Sequence, residues 1–403
     1  MIAVAGAGAS GMMAAIAAKR LCGSREVVLL ERQSRVGRKL LSTGNGRCNI
    51  TNLDCENPAN YNNPDFVSSV LRRAGLARVI DAFTDMGLGI VFDEEGRGYP
   101  ESNMAASVLD ALRLTLEETG VRVETSFEVK SAARRGDEFI LTSIDGRRIG
   151  ADRVIIACGG PAGAKLGGVS SGHALLRAFG HDIIPALPVL VQFKCDCAGG
   201  LKGIRRVCPA ILEIDGEAVA REDGELLFGD GYISGIAVMK LSRFAAEPLR
   251  AGRKVEMVIR ASSVSEDELR ARAALLGNRR LEDFLSGIMP KRLGQHLIKL
   301  AGISPLSRNA ASLSDAEIAG LSDIMSGWRV PVTGTFGFDS AQATRGGADT
   351  RQFLQTLESR LVKGLYACGE VLNVDGDCGG FNLHWAWASG IVAGEEAAGL
   401  RRI

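Results

Sequence analysis

An apolar run, Ile2-Ala3-Val4-Ala5, feeds straight into Gly6-Ala7-Gly8-Ala9-Ser10-Gly11, and nothing else in the chain narrows its fold as much. An Ala- and Met-rich stretch of helix formers follows over residues 12–21, and Val27-Val28-Leu29-Leu30 then ends in Glu31. The order is strand, glycine turn, helix, strand, acid. It predicts a dinucleotide-binding βαβ unit, and each residue type has a reason. Gly6 permits the tight turn, Gly8 lets a pyrophosphate approach the backbone, and Gly11 lets the helix pack closely on the strand. The helix start offers free N–H groups and a positive dipole end to phosphates. Glu31 stands 20 residues after Gly11, where a carboxylate accepts hydrogen bonds from ribose hydroxyls. An acid at that place disfavours a 2′-phosphate, so FAD or NAD is expected rather than NADP; Arg32 beside it is compatible with a nearby phosphate.

Three further segments favour FAD. Residues 37–52, GRKLLSTGNGRCNITN, are basic, polar and glycine-punctuated directly after the acid-bearing strand. Backbone donors over Thr43, Gly44, Asn45 and Gly46 can wrap a pyrophosphate while Arg38, Lys39 and Arg47 supply charge. The alternative is a solvated surface loop. Residues 153–161, RVIIACGGP, read as a buried strand running into a small-residue turn at Ala157 and Gly159. That suits a strand passing beneath a cofactor, and equally an ordinary strand exit. Finally, GLYACGE (364–370) and DGDCGGFN (375–382) precede an apolar helix over 383–398. A second helix N-terminus, reached through Gly369, Glu370, Gly379, Gly380, Phe381 and Asn382, would suit the electron-rich edge of a reduced isoalloxazine. A plain NAD domain is complete within about 150 residues and needs no such distant closing segment.

Length and composition set the outer bounds. A chain of 403 residues is long for one domain. A net charge of +1 gives no electrostatic reason to expect nucleic acid or an anionic membrane as partner. The 9 cysteines are odd in number and scattered, without an export signal, which fits reduced thiols in a cytoplasmic protein. No apolar run approaches the ~20 residues of a membrane-spanning helix, so a soluble protein is expected. Oligomeric state is left open.

The FAD-binding α/β domain is expected to comprise residues 1–187 plus 341–403. It includes a helix over 105–119, a strand at 121–124, and a hairpin through Asp145-Gly146 leading into the strand ending at Ile156. Residues 57–100 read as mixed helices and loops. A β-rich domain is expected over 188–261 plus 327–340, with short strands at 189–193, 210–214, 226–228 and 255–259. Capping boxes at Ser265-Glu268 and Ser314-Glu317, with an amphipathic stretch at 281–300 between them, make 262–326 a helical subdomain.

Chemistry beyond the cofactor is sparsely signalled, and the catalytic residues are left unassigned. Cys48 is a candidate thiol, but the next cysteine, Cys55, is too distant for the paired redox motif of disulfide reductases. Cys195-Asp196-Cys197 with Cys208 lacks a second ligand pair, and no metal is expected. His384, beside the glycine turn, is a candidate proton donor or a packing residue. At least one of Trp385 and Trp387 is expected in the core. Tyr232, in GDGYISG (229–235), is a candidate substrate contact.

Taken together these segments resemble the HI0933-like (BaiN and aminoacetone-oxidase-like) family of FAD-binding proteins over essentially the whole length. The resemblance rests mostly on residues 37–52. GELLFGDGYISGIAV (224–238), AQATRGG (341–347) and GLYACGEVLNVDGDCGGFNLHWAWASG (364–390) support it. It implies a Rossmann-like, glutathione-reductase-like α/β fold split in sequence by a β-barrel-like domain that carries a helical subdomain. By the same resemblance Ser10, Glu31, Arg38, Lys39, Asn45, Gly46 and Arg47 fall at FAD-contact positions. Glu370, Gly380, Phe381 and Asn382 fall at the flavin-proximal turn, and Val129 in a strand whose backbone meets the adenine. The activity implied is oxidoreduction, with hydride passing between flavin N5 and a small organic substrate or a transiently bound NAD(P)H. Activities across the family are disparate, reduction of steroid-type enones and oxidation of aminoacetone among them. Two alternatives stand beside this: a flavin-dependent RNA-modifying protein, for which Arg270, Arg272, Arg279 and Arg280 are the modest basic candidates, and a flavin-binding sensor without turnover.

Overall fold

The computed structural model describes residues 1–195 and 200–399. They divide into two compact units, Met1–Leu187 with the chain from Gln342 onward, and Pro188–Ala341.

The first unit is built on a five-stranded parallel sheet in the order Leu365–Ala367, Arg153–Ile156, Ile2–Ala5, Val27–Leu30, Arg122–Glu124. Every residue of the three strands Ile2–Ala5, Val27–Leu30 and Leu365–Ala367 is buried, as expected for a parallel sheet covered on both faces. The helices Ala9–Cys22 and Phe381–Ala398 pack on it and on each other. Gly390 and Gly394 of the second lie against Ser10, Met13, Ala14 and Ala17 of the first. The helix Ala105–Thr119 ends, as its sequence predicts, at a left-handed glycine, Gly120. A three-stranded meander (Val129–Arg135, Glu138–Ser143, Arg148–Ala151) turns through Asp145-Gly146.

The stretch 57–100 differs from its reading as helices and loops. Strands Ile90–Phe92 and Arg97–Pro100 pair with Thr51–Asn52 in a small antiparallel sheet. No alternating apolar and polar pattern marks it, because all three residues of Ile90–Phe92 are apolar and Gly98 carries no side chain.

The second unit contains a closed six-stranded barrel, in the order Phe193–Cys195, Tyr232–Ser234, Glu217–Phe228, Arg205–Ile214, Val255–Ile259, Trp328–Thr335. Two strands run far beyond the apolar stretches that predicted them. Glu217–Phe228 points alternate acidic and arginine side chains outward, which hid most of its length from a search for apolar runs. Both capping boxes form, at Ser265 with Glu268 and at Ser314 with Glu317. The amphipathic stretch 281–300 is not one helix. A 3-10 turn, Leu281–Asp283, is followed by a loop with left-handed Gly287, and the helix Lys291–Leu300 starts only after Pro290. Among the described residues no helix is long and apolar enough to cross a membrane.

Candidate functional site

The glycine turn after the first strand shows the tight geometry its sequence predicts for Gly6 and Gly11. Gly6 has φ +106°, and a Cβ on it would lie 2.5 Å from the Ala157 carbonyl oxygen. A Cβ on Gly11 would collide with the Gly6 carbonyl oxygen. Gly8 has nothing within 4 Å of where its Cβ would be. Two glycines are therefore required by packing, and the third opens the start of the Ala9–Cys22 helix outward, as a diphosphate needs.

Glu31 is held at this turn. Its Oε2 accepts from the Ala7 N–H at 3.0 Å and its Oε1 from the Gln33 N–H at 2.8 Å. The Phe127 N–H donates to the Glu31 carbonyl at 2.8 Å, which brings the start of the Val129 strand alongside. Arg32 donates to the Gly167 carbonyl at 3.2 Å and Arg38 to Gln33 at 3.3 Å.

Three segments far apart in sequence meet on one carboxylate. Glu370 Oε2 takes Lys39 Nζ at 2.9 Å and the Gly160 N–H at 3.2 Å, and its Oε1 takes the Thr344 N–H at 2.8 Å. Thr344 Oγ1 in turn accepts from the Ala162 N–H at 3.1 Å. The 37–52 loop, the turn through Ala157 and Gly159, and the segment at Gly369-Glu370 thus border a single place. Ser10 Oγ donates to the Cys368 carbonyl at 3.5 Å and joins the first glycine turn to the same place. Thr344 carries no cofactor assignment in the sequence reading; its signal was the AQATRGG segment.

The second turn is equally built. Gly379 and Gly380 have φ of +115° and +105°. Asn52 Nδ2 donates to the Gly379 carbonyl at 2.9 Å, and a Cβ on Gly380 would collide with the Thr51 carbonyl oxygen. Asn382 closes the turn on itself, accepting from the Gly376 N–H and donating to the Gly376 carbonyl, both at 2.9 Å. Its side chain thereby binds the backbone of its own turn, whereas Glu370 binds both backbone and the Lys39 side chain. The first N–H groups of the Phe381–Ala398 helix have no partner within the helix. Phe381 is buried edge-on to Tyr61. Trp385 and Trp387 are both core residues, and their indoles donate to the Gly369 and Ile50 carbonyls at 3.2 and 3.1 Å.

In the 37–52 loop, Gly44, Asn45 and Gly46 take positive φ in succession (+55°, +55°, +86°), with Thr43 Oγ1 on the Leu40 carbonyl at 2.6 Å. Arg47 lies with its guanidinium 4.1 Å over the Tyr99 ring and its Nε on Asn103 Oδ1 at 2.6 Å.

The three candidates for chemistry fare differently. Cys48 is fully buried and its thiol is pushed up to about 12 by that burial, so it is no thiolate at neutral pH. Cys55 is raised likewise, to about 11, and both thiols are free. His384 is fully buried, its Nδ1 2.9 Å from Thr51 Oγ1, and burial lowers it to about 4. Its ring ties the last helix to Thr51, while the buried Nε2 meets no partner among the described residues. Tyr232 lies on the barrel of the second unit, edge-on to Phe336 at 5.4 Å. Of the cysteine group, Cys195 and Cys208 are buried, and Cys197 lies outside the described residues.

Comparison with known proteins places this arrangement among relatives of matching length. The chain is 38% identical to the 3-dehydro-bile acid delta(4,6)-reductase of Clostridium scindens, over 98% of both chains. It is 31% identical to the ribosomal RNA dihydrouridine synthase of Escherichia coli, over 98% of this chain and 96% of that one. Among solved structures, 3-ketosteroid delta1-dehydrogenase from Sterolibacterium denitrificans superposes with a TM-score of 0.54 at 12% identity, covering 98% of this chain and 99% of that one, which shows a shared fold. The model of the HI0933-like protein Rossmann domain matches residues 1–396, and the chain belongs to that family.

Proposed function

We propose that this protein is an FAD-dependent reductase that adds hydrogen across a carbon–carbon double bond conjugated to a carbonyl, with NAD(P)H as a transiently bound electron donor. The protein is a flavin-dependent oxidoreductase; the bond acted on and the donor are the reading offered here. The observation that carries it is the meeting of Lys39, Gly160 and Thr344 on Glu370 beside two glycine-lined helix starts. Such a cradle has one end for a diphosphate and one for a ring system.

Bound FAD would supply a hydride from N5 of its reduced ring. The residues of the chain hold and orient. The start of the Ala9–Cys22 helix, opened by Gly8, offers N–H donors to the phosphates, while Glu31 takes ribose hydroxyls. Lys39 is charge-compensated by Glu370, so the helix start carries more of the phosphate charge. The N–H groups at Phe381 and Asn382 face the carbonyl edge of the ring system. With Cys48 a thiol and His384 neutral, neither of these two side chains is poised as the acid. The proton that completes reduction is then delivered by water or by the substrate's own surroundings.

Two relatives with unlike substrates point to one bond type. The name of the first is that of a delta(4,6)-reductase, and the name of the second that of an enzyme forming a dihydro base. Both names describe saturation of a double bond. The reading includes a cytoplasmic location, where cysteine thiols stay reduced.

RNA as substrate is the second reading, favoured by the E. coli relative. The arginines that could have served it are largely occupied. Arg270 is ion-paired with Glu266, Asp267 and Asp315, Arg272 donates to the Phe284 and Ser286 carbonyls, and Arg280 faces Glu282. A small-molecule enone is therefore preferred.

Anaerobic titration of FAD-loaded protein with NADH and NADPH, then addition of 2-cyclohexenone, a 3-oxo-Δ4 steroid or a uridine-containing RNA, tests both readings. Bleaching by the nicotinamide and reoxidation by the enones is the expected result. Reoxidation by RNA alone would transfer the assignment to the second reading, and a flavin that no conjugated double bond reoxidises would end the first.

A further inference from the structure

We propose that Arg345 and Asp375 are a positioning pair that keeps the ring-binding turn free of net positive charge, so that the bound flavin is no easier to reduce than free FAD. This deepens the reductase reading and relies on it for where the ring lies.

The argument begins with a buried ion pair that the chemistry above does not use. Arg345 Nε meets Asp375 Oδ1 at 2.8 Å and its Nη2 meets Oδ2 at 3.1 Å, the two parallel bonds of a guanidinium fork. The Asp375 side chain is fully buried and that of Arg345 is 15% exposed, so water and salt screen the pair little.

The pair joins two segments that border the turn. Arg345 lies on the strand Ala343–Ala348, next to Thr344, whose N–H donates to Glu370. On the same strand the Gly346 N–H donates to Asn373 Oδ1 at 3.0 Å, and a Cβ on Gly347 would lie 2.7 Å from the Val371 carbonyl oxygen. Asp375 directly precedes Gly376, the residue on which Asn382 closes the turn, and its own N–H donates to Asn62 Oδ1 at 2.9 Å. Its carboxylate is thus fixed at the root of the turn that opens the last helix.

Other cations at this turn are matched in the same way. Lys39 is paired with Glu370 at 2.9 Å. The stem of Arg97 lies beside Gly379, and its guanidinium is taken by Asp93 at 2.8 Å and by Glu95. Asp377, inside the turn, adds one further acid. Arg38 and Arg47 are exposed and are assigned above to the diphosphate, whose own charge they meet. A reduced isoalloxazine is electron-rich at its N1–O2 edge, and charge near that edge tunes it. A lone cation there would stabilise the reduced ring and hold its hydride back. With these cations cancelled the ring keeps the low potential of the free cofactor, which suits giving hydride to a conjugated double bond.

The test reads the reduction equilibrium of FAD-loaded protein against a reference dye, during slow anaerobic reduction by xanthine and xanthine oxidase, with free FAD as the standard. Wild-type flavin is expected to be no easier to reduce than free FAD. Asp375→Asn leaves the Arg345 charge without its carboxylate and should move the equilibrium towards reduced flavin at least about tenfold, or about 30 mV for two electrons. Combining Arg345→Met with Asp375→Asn removes both charges and should return the equilibrium to within about threefold of wild type. Arg345→Lys keeps the charge and should also stay with wild type. A purely structural pair gives another pattern, in which the double variant is disturbed at least as much as either single one. That pattern overturns the inference. So does an unshifted Asp375→Asn, or wild-type flavin more than about tenfold easier to reduce than free FAD. If Asp375→Asn retains no FAD, Arg345→Gln decides. A shift of at least about tenfold towards oxidised flavin supports the pair, and no shift overturns it. Failure of the reductase reading looks different: the equilibria follow the charges, yet no enone reoxidises the flavin.

Discussion

Gly390 of the last helix sits against Ser10 of the first, so close that a Cβ on Gly390 would lie 2.6 Å from the Ser10 carbonyl oxygen. One turn on, a Cβ on Gly394 would collide with the carbonyl of Ala14. The two helices that open at the two glycine turns are thus in backbone contact, and their spacing sets the distance between those turns. Gly390→Val should cost about 1–3 kcal/mol, the range for overpacking a tight interior, and should lower FAD retention in parallel. Gly320, in the helix Asp315–Gly327, has nothing within 4 Å of its Cβ position, so Gly320→Ala should gain about 0.5–1 kcal/mol. Thermal unfolding of the two variants checks both; equal melting temperatures would mean that the helix contact does not govern the fold.

Glu31 offers a second measurement. Its carboxylate already accepts from Ala7 and Gln33 and still has lone pairs for a ribose. Glu31→Ala should weaken FAD binding by about 1.5–3 kcal/mol, read by quenching of flavin fluorescence. Glu31→Gln should recover part of that loss. Unchanged affinity in Glu31→Ala would remove the ribose from this position.

These two sites also mark what could be read from sequence. The glycine turn and Glu31 were legible because backbone geometry there admits few residue types, and Gly6 and Gly11 are fixed by collisions that only glycine avoids. The long barrel strand Glu217–Phe228 was legible only at its apolar end, since its outward face alternates with acids. The sheet at Thr51–Asn52, Ile90–Phe92 and Arg97–Pro100 was not legible, because Thr51 and Asn52 pair with the distant Gly98 and Arg97 and the short hairpin Ile90–Phe92 with Arg97–Pro100 carries no period. At Glu370 and Asn382 the sequence did not show that backbone N–H groups of neighbouring turns also bind these side chains.

Cys48 should be chemically silent. Burial holds its thiol near 12, and the same applies to Cys158 and Cys368, so native protein at pH 8 should not be alkylated at these three by iodoacetamide. Cys48→Ala should retain FAD and any turnover. Peptide mapping after alkylation, with unfolded protein as the positive control, decides it; rapid labelling of Cys48 would reopen a thiol chemistry at the turn.

His384 makes an acid-limb prediction whose sign is fixed by burial. In the unfolded chain it titrates near its ordinary value of 6.5, and in the fold it is lowered to about 4 by desolvation. Between those values the unfolded chain binds more protons than the folded one, so protons favour unfolding. The contribution of the neutral ring is complete above about pH 6.5 and falls away as pH drops towards 4, a loss of about 3 kcal/mol across the window. His384→Asn, which keeps a polar partner for Thr51 and cannot titrate, should flatten this limb by nearly one proton's worth of slope in urea unfolding at stepped pH. The same substitution should leave the pH dependence of catalysis between 6 and 8 unchanged, because the ring is already neutral there. A catalytic pKa near 7 that vanishes in His384→Asn would instead mean that the ring is reached by solvent and exchanges protons with the site.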